Sequence, residues 1–177
     1  GHLPAGLFLL FAMLIEIRAG PTNWTFTRTL AMGFALTMPL VIELQVAPVC
    51  GILASPLLVD LLRGRLRGWG LVGLALGAGV PLLALAVYNT VAFGAPWQLG
   101  YFHHATDRFA RVHNASNPLG LQPPNWSLLP RLLWGGHRGL TAYAPIVVLA
   151  LPGWLMMRAG TRPRLRWLSL SCVAAMV

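Results

Sequence analysis

LAMGFALTMPLVIELQVAPVCGILASPLLVDLL, residues 30–62, is the stretch whose reading decides the fold. Its only charged side chains are Glu43 near the middle and Asp60 near the end. As one helix its roughly 33 residues would reach about 50 Å, against a hydrocarbon core of about 30 Å. A single crossing could use that length only with extreme tilt. Pro39, Pro48 and Pro56 interrupt the run, and Glu43-Leu44-Gln45 sets polar groups at its centre. The run therefore reads as two short helices, 30–44 and 47–62, forming a hairpin that turns near Gln45 to Pro48. Arginine placement agrees. Arg18 and Arg28 precede the run, and Arg63, Arg65 and Arg67 follow it. Positive charge favours the cytoplasmic side, so both ends belong there.

The rest of the chain repeats the theme. Of 177 residues 56% are hydrophobic and only 10% charged, where soluble domains carry roughly a quarter charged. The expected class is an all-α, polytopic integral membrane protein, one transmembrane domain over residues 1–177. It would hold about five to six transmembrane or membrane-embedded helices, near 3–17, 30–44, 47–62, 71–91, 140–157 and 167–177. One long outer loop, about 92–139, would join the fourth to the fifth. The net charge of +9 comes wholly from arginine. Those arginines cluster beside apolar spans, which points to membrane lipids as partners and excludes nucleic acid. Cys50 and Cys172 lie in apolar segments without Cys-x-x-Cys spacing, and read as buried thiols. The chain starts at Gly1-His2 and stops at Val177 within an apolar run, so it reads as part of a longer multi-pass protein of the cell (inner) membrane.

Residues 71–91 form the clearest span. Gly73 and Gly77 make a G-x-x-x-G step suited to close helix approach, and Pro81 is expected to kink the helix. The span exits at Tyr88-Asn89 into the loop. Arg108, Arg111, Arg131 and Arg138 fall there, but loops this long obey charge bias weakly. Ser127 is placed to cap a short interfacial helix over 128–134, with Trp126 and Trp134 as anchors.

Polar chemistry has few places to reside. In this topology Tyr88, Tyr101 and Tyr143 all fall on the outer side, with Asn89, His103, His104, His113 and His137. An aromatic belt accounts for the tyrosines, and a helix-end carbonyl partner accounts for Asn89. His103-His104 with His113 suggests metal, but adjacent histidines rarely share one ion and no H-E-x-x-H is present. No nucleophile elbow, phosphate loop or dinucleotide fingerprint appears, so no cofactor is implied. Glu43 is the sharper signal, because an acid within an apolar run usually faces a cavity, a partner or a substrate path. The competing account pairs Glu43 with an outer arginine, Arg108 or Arg138, purely for packing. Asp60 is expected to pair with Arg63, three residues on.

GHLPAGLFLLFAML (1–14), the broken run with Glu43, YNTVAFGAPWQLGY (88–101) and HRGLTAYAPIVVLALPG (137–153) occur in that order. Together they resemble bacterial multi-pass proteins classed with the GT-C glycosyltransferases, near the protein O-mannosyltransferase and aminoarabinose transferase group. The chain departs from that pattern at His137, Thr141 and Ala144. The resemblance implies transfer of a sugar from a polyprenyl-phosphate donor to an acceptor at the outer face. It implies a catalytic acid upstream of Gly1, leaving the catalytic residue of this stretch unknown. Substrate-binding candidates are then Glu43, Tyr88, Asn89, Tyr101, His103, Arg138 and Tyr143, with Arg138 or Arg108 offsetting the departing lipid phosphate. A transporter or flippase segment with Glu43 on its path, and a non-catalytic membrane scaffold, are the rival readings.

Overall fold

Trp24 Nε1 donates to Asp60 Oδ2 over 2.8 Å, and that one bond sets the path of the chain. It joins a residue two positions ahead of one helix to the last turn of the next, so the two helices run antiparallel as a hairpin. The computed structural model describes residues 2–19, 24–100, 103, 123 and 125–136. They fall in two units, residues 1–121 and 122–177, each taken by itself. All regular structure among the described residues is helical. The first unit holds α1 (His2–Ala19), α2 (Phe26–Ile42), a 3-10 turn (Leu44–Val46), α3 (Ala47–Leu62) and α4 (Trp69–Phe93).

The break in the long apolar run comes at Glu43. Its φ of −154° and ψ of 100° leave the helical region, while its N–H still bonds Pro39 O at 2.7 Å. The prolines behave differently from the expected interruptions. Pro39 and Pro56 lie inside α2 and α3, and Pro48 occupies the first turn of α3, where its missing N–H costs nothing. Pro56 cannot bond the carbonyl four residues back, that of Ile52. The Ser55 hydroxyl donates to that oxygen at 2.7 Å, so the helix continues through the proline.

α2 is the hub, with α1, α3 and α4 all packed on it. The glycines decide how closely α4 approaches. A Cβ on Gly77 would lie 2.0 Å from Leu30 O, one on Gly73 2.4 Å from Phe26 O, and one on Gly33 2.5 Å from Leu74 O. Only hydrogens fit there, so the two backbones touch. The registers rise together, 26 with 73 and 30 with 77, and α4 therefore runs parallel to α2. α3 and α4 flank α2 around an apolar groove of about 430 Å³ lined by Leu36, Cys50, Ala54, Leu57, Leu74 and Ala78, among others. Phe8 of α1 meets Phe34 of α2 edge to face.

Among the described residues two helical stretches are long and apolar enough to cross a membrane, Leu44–Leu62 with mean hydropathy 1.7 and Trp69–Phe93 with 2.2. At 1.5 Å per residue the second reaches about 37 Å, more than a hydrocarbon core needs. Val80, Leu83, Val87 and Val91 on α4 stay exposed, a surface suited to lipid rather than water. These features suggest a membrane location. Gly68 opens α4 at a φ of 53°, and Gly94 closes it at 85°, its N–H bonding Thr90 O at 3.0 Å. A left-handed terminal glycine of this kind satisfies a last-turn carbonyl.

The hairpin and α4 together sort the polar ends. Arg28 starts α2, and Arg63, Arg65 and Arg67 join α3 to α4, at the end marked by Trp24 and Asp60. Glu43 and the segment after Phe93 occupy the other. In a background lacking Cys50 and Cys172, single cysteines at Arg65 and Ala95 are expected to label from opposite sides of sealed vesicles. Labelling from one side would refute a crossing by α4.

In the second unit, Trp126–Leu128 forms a 3-10 turn leading into α5 (Leu129–Trp134). The cap is Asn125 rather than Ser127. Asn125 Oδ1 accepts from Ser127 N at 3.1 Å and from Ser127 Oγ at 2.7 Å. An Asx side chain reaches the N–H two residues ahead, which a serine already inside the turn cannot do. Trp126 and Trp134 are both exposed. The expected helices near 140–157 and 167–177 lie outside the described residues.

Candidate functional site at the end of α2 and α4

Glu43 interrupts one helix, and Gly94 turns the chain back at the end of another. Between them lies a cleft of about 330 Å³, lined by Leu40, Val41, Ile42 and Leu44 on one side and by Leu85, Tyr88, Asn89, Leu99 and Gly100 on the other. The volume is at the lower end of what holds a small ligand. Most of the wall is aliphatic. Tyr88 and Asn89 are its only side chains with hydrogen-bonding groups among the described lining residues.

The segment after α4 is folded back by specific contacts. Asn89 is buried to 2% exposure, and its Nδ2 donates to Pro96 O at 3.2 Å. Gln98 N bonds Ala95 O at 3.2 Å, closing a turn. His103 stacks on Phe93, with ring centroids 4.6 Å apart and planes within 2°. Tyr88 meets the other side of the aromatic cluster edge-on, 6.2 Å from the Phe93 centroid. Stacking of this kind adds about 0.5–1.5 kcal/mol beyond buried area. The Gly94-Ala95-Pro96 turn thereby returns Leu99 and Gly100 to form the second wall.

The candidates separate on these facts. Tyr88 and Asn89 are in the wall, and His103 steadies it through Phe93. Glu43 is half-buried at the helix break. Its neighbours Ile42 and Leu44 line the cleft and Glu43 does not. Tyr101, Arg138 and Tyr143 lie outside the described residues, as does Arg108. Sequence reading missed Leu40, Leu44 and Leu99 as wall residues, because nothing in an aliphatic residue distinguishes a cleft from a packed core.

The opposite end holds a second polar cluster. Asp60 is fully buried, bonded by Trp24 and paired with Arg65, whose Nη1 stands 3.3 Å from Oδ1. The expected partner was Arg63. Gly64, at a φ of 65°, turns the chain so that Arg65 N–H bonds Asp60 O at 2.8 Å and its side chain returns to the carboxylate. Glu16 is also buried, at 2% exposure, with Ala5 and Ala12. The spacing of 5, 12 and 16 puts all three on one helix face, a signal present in the sequence. The Trp24–Asp60 bond ties the ends of α2 and α3 together.

No known protein family, curated protein or solved structure matches this chain.

Proposed function

We propose that this chain is part of a multi-pass inner-membrane glycosyltransferase that moves a sugar from a polyprenyl-phosphate donor to an acceptor at the outer face. The cleft between the hairpin tip and the end of α4 carries the reading. An isoprenoid chain is apolar and branched, and it suits walls of Leu40, Val41, Ile42, Leu85 and Leu99. The polar groups of the donor would then meet Tyr88 and Asn89 at the helix exit. Glu43 belongs to the same end, beside the wall rather than in it. Arg138 or Arg108 would supply positive charge to the departing phosphate, where an oriented cation lowers the cost of developing charge.

The test is donor binding by the full protein in lipid vesicles, with thermal stability read in parallel. Leu44→Trp, which adds bulk to the wall, is expected to lower polyprenyl-phosphate-sugar binding at least about tenfold, the loss of roughly 1.4 kcal/mol. Glu43→Gln separates two roles for the acid. Weaker binding at an unchanged melting temperature gives Glu43 a part in the site, whereas full binding with a lowered melting temperature makes it a packing residue. Unchanged binding by a folded Leu44→Trp protein would remove the cleft from the donor's path.

A further inference from the structure

The two hydrogen-bonding side chains of the cleft differ in what they leave available. Tyr88 is 62% exposed, and Asn89 is 2% exposed. Asn89 Nδ2 donates to the Pro96 carbonyl. A carbonyl can only accept, so this bond fixes which end of the amide is nitrogen. The other end, Oδ1, accepts no hydrogen bond from any described residue and retains accessible surface. Asn89 lines the cleft, so this amide oxygen, held in place by the bond to Pro96, is an acceptor open to a donor from a ligand. A ligand that sealed this oxygen from water without offering it a donor would be disfavoured. Among the described lining residues there is no arginine or histidine, so nothing there offsets a phosphate's charge. The chemistry on offer is one fixed acceptor set among aliphatic side chains.

Resting on the reading of the cleft as a lipid-linked donor site, we infer that Asn89 is a specificity-determining residue. Its Oδ1 accepts a hydrogen bond from a hydroxyl of the sugar carried by the lipid, while the phosphate is held outside the described wall. The same amide latches the returning segment through Pro96, so the acceptor is oriented before the ligand arrives. A polar group built to bond a hydroxyl discriminates strongly against a ligand lacking it, because such a ligand would cover the acceptor and leave it unmet. The cleft therefore selects glycosylated over unglycosylated lipid.

The experiment uses two photoreactive probes of equal chain length, an alkyl glycoside and an alkyl phosphate, with the full protein in vesicles. Capture is mapped to Leu44 and Leu99. The wild-type protein is expected to take the glycoside in preference. Asn89→Leu, which removes the acceptor, is expected to lose about tenfold in glycoside capture, the effect of one hydrogen bond, with phosphate capture unchanged. Asn89→Asp keeps an acceptor and discards the donor to Pro96, so glycoside preference should persist. Equal loss in Asn89→Asp and Asn89→Leu would reduce Asn89 to a latch and overturn the inference, as would undiminished preference in Asn89→Leu. Wild-type capture of the glycoside alongside either result leaves the donor-site reading standing. Capture of neither probe by the wild-type cleft overturns both.

Discussion

Gly77→Val is expected to be among the most damaging single substitutions in the first unit, costing about 3 kcal/mol or more. The added Cβ would sit 2.0 Å from Leu30 O, with Leu30 C and Cα at 2.8 and 3.0 Å. Those atoms are backbone inside α2, so no rotamer change can make room. The helices must separate, and separation loses the paired contacts at Gly73 and Gly33 as well. In lipid there is little hydrophobic drive between helices, and close van der Waals packing carries the association. Gly79 provides the control. Nothing lies within 4 Å of a Cβ there, so Gly79→Ala should be neutral or stabilise by about 0.5 kcal/mol through helix propensity. Equilibrium unfolding in mixed micelles separates the two. Equal stability of Gly77→Val and Gly79→Ala would show that α2 and α4 do not meet at these glycines.

Asp60→Ala is expected to cost about 2–3 kcal/mol, and mostly through Trp24 rather than Arg65. The carboxylate is fully buried, and Trp24 Nε1 reaches it at 2.8 Å. Removing the acceptor strands a partly buried indole N–H and opens a small void. Arg65 contributes less, because its side chain is 41% exposed and can turn to water and headgroups. The ordering Asp60→Ala worst, Trp24→Phe intermediate and Arg65→Gln mildest follows. In a double-mutant cycle, Trp24→Phe with Asp60→Asn should show coupling of about 1–2 kcal/mol. Additive losses would mean that the bond does not hold the ends of the hairpin together. Because Trp24 precedes α2 and Asp60 lies in the last turn of α3, breaking it should also loosen the arginine turn at 63–67.

The sequence by itself determined the helical class and the break in the long run. Residue count against hydrocarbon thickness is arithmetic, and a 33-residue apolar stretch is longer than one crossing of a bilayer uses. Arginine positions paired its ends for a similar reason, since charge is expensive in lipid at any sequence address. Local bonding was less legible. The prolines looked like breaks because the hydroxyl of Ser55 one position earlier is needed to see how Pro56 is tolerated. Asp60 looked like a helix-end partner for Arg63, since the turn at Gly64 that brings Arg65 back depends on a backbone angle. The spacing of Gly73 and Gly77 predicted close approach, but which helix they meet depends on how α2 and α4 align. Nor could sequence distance join Leu40 and Leu44 to Leu99. Those residues form one cleft because the Asn89 amide and the stacked Phe93 and His103 rings fold the chain back, and such contacts exist only once the helices are packed.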